Sequence, residues 1–294
     1  MDVYSVITER IIEKLEAGCV PWHKPWRTVG APRNLVSKKN YRGINVWLLT
    51  TQGYISPYWA TIRQINQLGG QVRKGEKSTP VVFWKIYVDG VEVKPGEAEP
   101  AAQEAEGQGK RRFVLRYFSV FNTEQCDLPA SITEKLALPE PRQLDPIEAC
   151  ERILADMPDP PEIVHAGDKA FYSPTTDRIT MPPSTLFESS EDYWCTLWHE
   201  EGHAVGHPQR LNRESITDAA PFGSATYSVE EIVAEMTAAY LCGITGIENR
   251  TFDNSAAYLA AWARNLRADR KLIIRAAAQA QRGCDYILNV NGRG

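Results

Sequence analysis

The sequence predicts an α+β fold arranged as two domains. Three observations lead there. At 294 residues the chain exceeds a typical single domain. Its charge changes sign along its length: residues 1–90 hold 13 Lys/Arg against 6 Asp/Glu, and residues 137–294 hold 14 against 23. Strand-like alternation and helical stripes both occur, grouped rather than regularly interleaved. Hydrophobic residues make up 43% and charged residues 24%, which supports a packed core and excludes a disordered chain.

The elements follow in order. Val6, Ile7, Ile11 and Leu15 form a helical stripe over residues 4–17, with Gly18 as its stop. Pro21 and Pro25 keep the next stretch out of a helix. Residues 59–68 read as a helix ended by Gly69-Gly70. Residues 80–88 and 112–121 read as two paired strands. Between them, residues 92–110 are rich in Glu, Ala, Gly and Gln, the composition of a mobile acidic loop. Residues 1–136 are therefore assigned to the first domain, 137–147 to a Pro-rich linker and 148–294 to the second domain. In that second domain, 147–157 reads as helix and 162–165, 170–173 and 178–181 as short strands. Helices follow at 191–206, 229–241 and, as one long Ala-rich element, 255–281. Ser189 and Asp192 form a capping pair at the first of these.

No apolar run approaches the roughly 20 residues of a membrane helix, and no basic segment precedes an apolar core at the N-terminus. The six cysteines are scattered, with no Cys-x-x-Cys pair. Reduced thiols in a cytoplasmic protein that has no membrane partner are the expectation.

His199-Glu200-Glu201-Gly202-His203 fits the H-E-x-x-H pattern on a predicted helix. Residues four apart share one helix face, so two imidazoles grip one cation with Glu200 beside it as general base. Zinc is the preferred metal, with manganese or cobalt also accepted by such a donor set. A third ligand is sought on the next helix, where Glu231 and Glu235 are four apart and share a face. One binds metal while the other hydrogen-bonds a ligating histidine. Glu231 follows His203 by 28 residues, a spacing similar to that of glutamate-type zincins, so Glu231 is assigned as ligand and Glu235 as support or alternative ligand. Ser228-x-x-Glu231 also reads as a capping box. His207 continues the series but marks the helix end or a supporting position, and Tyr193 and Tyr227 are weaker candidates for donating to an oxyanion.

Five of the eight tryptophans fall in residues 1–90, interleaved with cations. Trp22, Lys24, Trp26, Arg27, Lys38, Lys39, Tyr41, Arg42, Trp47, Arg73, Lys74 and Lys77 are the candidate DNA-binding residues. Rings stack on unpaired bases while cations track phosphates, the recipe for single-stranded nucleic acid. The same residues also suit a core and a solvated face.

Taken together, the two halves resemble the ArdC-type antirestriction proteins of conjugative plasmids. The first half carries Trp22-x-x-Pro25-Trp26, Tyr41-Arg42-Gly43-Ile44-Asn45, residues 68–77 and Phe121-Asn122-x-Glu124-Gln125. The second carries Tyr172-x-Pro174-x-x-Asp177-x-Ile179-x-Met181-Pro182, His199 to His203, Gly206-His207, Arg210-Leu211, Arg213 and Tyr227-x-x-Glu230-Glu231-x-Val233-Ala234-Glu235. The resemblance implies an N-terminal domain that binds single-stranded DNA, related to the N-terminal region of plasmid primases. It implies a zincin-like metallopeptidase domain, a role in protecting entering plasmid DNA from restriction, and a restriction component as a candidate protein substrate. The alternative is a DNA-shielding protein whose metal site is structural or inactive. Glu201-Gly202 departs from the leucine and alanine expected there and places a charge near the site.

Overall fold

The computed structural model describes residues 2–18, 20, 31–88, 91–93, 111–136, 145–217, 225–247 and 256–290. The chain opens with α1 (Val3–Glu16), whose N-terminus is capped by Asp2 accepting from the Ser5 N–H. Its stripe Ile7, Ile11, Ile12 and Leu15 is buried, and Gly18 takes the left-handed conformation that ends it.

A five-stranded sheet follows, in the order β1-β2-β6-β4-β5. Its strands are β1 (Arg33–Asn34), β2 (Tyr58–Ala60), β4 (Thr79–Val88), β5 (Val91–Val93) and β6 (Arg111–Asn122). β4 and β6 pair antiparallel from Thr79↔Val120 to Val88↔Arg111, close to the expected strand pair. Around the sheet lie α2 (Ile44–Thr50) and α3 (Ile62–Gln67), then the small pair β3 (Gln71–Val72) with β7 (Cys126–Asp127), and α4 (Ala130–Thr133). The helix expected from Trp59 begins later. Trp59 and Ala60 belong to β2, and Thr61 starts the helix with a reciprocal cap to Gln64. The acidic stretch 94–110 and most of the linker, 137–144, lie outside the described residues.

The second half begins with α5 (Pro146–Ala155), capped by Asp145 with Pro146 in the first turn. Strands β8 (Glu162–His165), β9 (Phe171–Ser173) and β10 (Arg178–Met181) form a sheet in the order β8-β10-β9. Then come α6 (Ser190–Ala204), α7 (Glu214–Thr217), α8 (Ala225–Thr245), α9 (Ala256–Ala268) and α10 (Leu272–Ile287). Ser189 caps α6 by accepting from the Asp192 N–H. The single long helix expected at 255–281 is two. Between them the Asp269 carboxylate accepts from the Lys271 N–H at 2.9 Å, and its carbonyl accepts from Leu272. The Thr8 hydroxyl of α1 donates to the Arg270 carbonyl at 2.7 Å, satisfying a backbone group exposed by the break.

That bond marks a larger feature. One continuous core takes Ile7, Ile11 and Leu15 from α1, Trp47 from α2, Val82 and Leu115 from the large sheet, and the buried faces of α6, α8, α9 and α10. Trp47, expected on the DNA surface, is only 4% exposed and packs on Tyr240 of α8 with ring centroids 4.5 Å apart. Burial takes its ring away from any base, so it serves as a joint between the halves. Arg42 pairs with Asp285, and the Gly43 N–H donates to Gln281, at the same joint. No helix among the described residues is long and apolar enough to cross a membrane.

A shared core makes the halves one cooperative unit. Trp47→Ala is expected to lower stability by about 3–5 kcal/mol. Urea unfolding followed by tryptophan fluorescence and far-UV circular dichroism should give one coincident transition for the wild type. Two resolved transitions would contradict the shared core.

Candidate metal centre

α6 and α8 cross where neither carries a bulky side chain. A Cβ added at Gly202 would lie 2.8 Å from the Ala234 Cα and 3.0 Å from its carbonyl oxygen. The cost of about 1 kcal/mol for glycine inside a helix is thus tied to a backbone contact. On either side of that contact, His199 and His203 from α6 face Glu231 from α8.

The three side chains converge. The two Nε2 atoms are 3.2 Å apart, and each lies 3.6 Å from a Glu231 carboxylate oxygen. One ligand atom from each lies within 4.8 Å of the others. Donors placed about 2.0–2.1 Å from one tetrahedral ion are about 3.3 Å from each other, so this triangle fits the face of a coordination polyhedron. The surroundings favour a cation. Glu200, Glu230 and Glu235 are all buried beside the three.

Burial holds the His199 imidazole well below its usual pKa, and the neighbouring His203 adds to the effect. Burial also opposes charging of His203, but its bond to Glu230 and the nearby Glu231 outweigh it and raise the pKa. Glu200 is raised, chiefly by burial; His203 and a backbone bond from Tyr172 on β9 pull it down, while Glu231 pushes it up. Glu235 is raised well above the carboxylate range by burial and by Glu231 one turn away.

The carboxylate seen holding a ligand histidine is Glu230, which sequence reasoning did not single out for this role. Its Oε1 lies 3.3 Å from His203 Nδ1, leaving Nε2 for the metal. Glu230 is held in turn by Ser215 and by the buried Arg213, whose guanidinium also donates to the Gly202 carbonyl at 2.5 Å. These charged partners overcome the burial penalty and bring the Glu230 carboxyl down to about 2. Arg213 had appeared only as part of the resemblance. Ser228 lies inside α8, which begins at Ala225, so the capping-box reading of Ser228 and Glu231 falls away.

Sequence profiles match both halves. The N-terminal domain of anti-restriction factor ArdC matches residues 1–121, and a zincin-like metallopeptidase domain matches 148–279. The chain superimposes on the metal-free crystal structure of the antirestriction protein ArdC from plasmid R388 with a TM-score of 0.75. The two are 35% identical, over 100% of this chain and 99% of that one. The chain belongs to the ArdC antirestriction family. The Mn(II)-bound structure of the same R388 protein gives a TM-score of 0.72 over 98% of both chains. Among curated proteins, y4eC of Sinorhizobium fredii is 35% identical, over 97% of this chain and 91% of that protein. Two proteins named DNA primase TraC of Escherichia coli are 37% and 36% identical, but the chain spans only 20% and 27% of their lengths.

The ArdC-family chain thus has a zincin-like metal-binding domain, and the remaining expected site residues fall around it. His207 sits past the end of α6, its Nδ1 4.0 Å from Asp177. Tyr193 shares a 3.0 Å hydrogen bond with His165. The Tyr227 side chain lies outside the described residues. Glu201 is fully buried with neither carboxylate oxygen hydrogen-bonded, and burial pushes its pKa to about 8. The charge expected beside the site is therefore neutralised by a proton at pH 7.

Of the candidate DNA residues, Trp22, Lys24, Trp26 and Arg27 lie outside the described residues. Tyr41 is buried in a small core with Leu49 and Trp59. Lys38 lies over the Tyr58 ring at 4.9 Å, and Lys39, Lys74 and Lys77 are exposed. Arg73 is engaged by the Glu124 carbonyl and by Glu76.

The buried carboxylates generate two predictions. Glu230→Gln should weaken divalent-metal binding about 10–100-fold in calorimetric titration, because His203 loses its charged partner. Glu201 has a folded-state pKa raised above its unfolded value, so the folded state binds the extra proton. Its contribution is complete below about pH 4.5 and is lost as pH rises through about 8. Glu201→Leu should raise the unfolding free energy near pH 8 and remove that part of the decline. An unchanged pH profile would show that Glu201 does not titrate this way.

Proposed function

We propose that this chain is an antirestriction protein that binds single-stranded DNA and carries a zinc-dependent, metallopeptidase-like site. The observation that carries the proposal is the convergence of His199, His203 and Glu231 beside the buried Glu200. When bound, zinc or manganese supplies Lewis acidity to a carbonyl and to an attacking water. His199, His203 and Glu231 hold the cation, and Glu230 fixes which nitrogen of His203 is offered. Glu200 accepts the proton of the water and returns it to the leaving amine. Its burial raises its pKa toward the range in which a carboxylate does both. A restriction component is the proposed protein substrate, in a cytoplasm that plasmid DNA enters as a single strand. The names of the R388 protein and the primases support the setting, since both concern DNA in plasmid biology or replication.

The seclusion of the cluster favours a second reading. The His199, His203 and Glu231 side chains are only 16%, 13% and 13% exposed, as in a metal site that braces two helices. The protein then shields DNA without cleaving anything. Glu200→Gln separates the two. The peptidase reading predicts retained metal binding and a loss of peptide hydrolysis of about 10²–10⁴-fold, with loss of protection from restriction. Full protection by a metal-loaded Glu200→Gln protein would establish the shielding reading.

A further inference from the structure

The described part of the DNA-binding half exposes one surface that the sequence did not single out. β4 and β6 form a long ribbon, and directly paired residues lie on the same face. One face carries Phe83 opposite Arg116, Phe118 opposite Val81, and Tyr87 opposite Arg112. At its root the face is covered, where Val81 and Val120 pack on Tyr41, Leu49 and Trp59. Beyond that cover the rings emerge. Phe83 is 44% exposed and Phe118 39%. Their centroids are 5.8 Å apart in an edge-to-face arrangement, and Tyr41 lies 6.2 Å from Phe83. Arg112 and Arg116 are exposed and form no ion pair among the described residues.

Exposing two phenylalanines to water is unfavourable unless something covers them. The adjacent cations say what kind of partner fits. An apolar protein surface would leave two arginines desolvated, whereas a polyanion neutralises them. Four residues apart on one strand, the arginines stand about 13 Å from each other, far enough to meet separate phosphates. Phe83, directly opposite Arg116, and Phe118, two residues beyond it, offer stacking faces to bases that are not paired. The opposite face also exposes aromatics, Trp84, Phe113 and Tyr117, but its one charged position in the β4–β6 register is Arg111, at the far end opposite Val88, against Lys85, Arg112 and Arg116 on the first face.

We infer that the Phe83–Phe118–Arg112–Arg116 face of this ribbon is the platform on which single-stranded DNA docks. The inference rests on the single-stranded DNA reading above and gives it a location. Phosphates run along the arginine row, and one or two bases stack on the phenylalanine pair. Duplex DNA, whose bases are already stacked, gains only the phosphate interactions.

The test is fluorescence anisotropy of a labelled oligothymidylate, with the full-length protein, at several salt concentrations. Arg112→Glu/Arg116→Glu should weaken binding more than tenfold and reduce the log–log salt slope by about 0.7 for each phosphate no longer neutralised. Phe118→Ala should cost on the order of tenfold with the salt slope unchanged. Phe113→Ala/Tyr117→Ala, on the opposite face, should bind as the wild type does. Unfolding midpoints of all variants show whether each is folded; the charge reversals lie on an exposed face and leave the core intact. Wild-type affinity in the arginine and Phe118 variants overturns the platform while leaving the DNA reading standing, as does a loss confined to the Phe113/Tyr117 variant. Absence of binding by the wild-type protein overturns both.

Discussion

At Gly202 the backbone of α6 lies against the backbone of α8 with no space for a side chain. That contact sets the distance between the two helices, and the distance sets the site. Two histidines on one helix face are a common arrangement and bind a cation poorly alone. They become a centre because α8, held at backbone contact, presents Glu231 within 3.6 Å of both imidazoles. Any side chain at position 202 would push α8 outward and open the triangle. The conformational cost of a glycine inside a helix is therefore inseparable from metal binding.

The crossing is clamped from outside. Arg213, buried near the start of α7, donates to the carbonyl of Gly202 and binds Glu230 on α8. One guanidinium thus ties together the contact that sets helix spacing and the carboxylate that orients His203. A buried arginine of this kind is stable only with its charge matched, and Glu230 provides the match. The other end of α8 is anchored differently. Tyr240 packs on Trp47, so the helix carrying the metal-site glutamates is also the helix on which the N-terminal half rests. Displacement of α2 at that joint would be felt by the α8 core directly, which gives a physical route between the N-terminal half and the metal centre.

Much of this was legible in the sequence, and the remainder had identifiable reasons for being hidden. Strands β8 and β10 fell where read because alternation and flanking Pro and Gly residues fix them locally. His199, Glu200 and His203 were readable because helical spacing is a local property, and Glu231 because a shared helix face narrows the search. Glu230 was not, since it lies about 100° round the helix from Glu231 and its partner Arg213 reaches it through a turn. The break at 269–271 has no glycine or proline to announce it. It is satisfied by Thr8, more than 250 residues earlier in the chain. Tryptophan count gave no hint of which rings are buried: Trp47 and Trp59 fill cores, while Trp84 is exposed. The exposed phenylalanines of β4 and β6 were not legible because a strand pattern alone does not say which face a neighbouring helix covers.

The most direct measurement of the central claim is anomalous diffraction from crystals of this protein loaded with zinc or manganese, collected at the metal edge. The account predicts one peak, bonded to the Nε2 atoms of His199 and His203 and to the Glu231 carboxylate. It also predicts Glu230 on His203 Nδ1 and α6 still at backbone contact with α8 through Gly202 and Ala234. A peak bonded to Glu235 instead, or one reached only after α8 has moved away from Gly202, would contradict it.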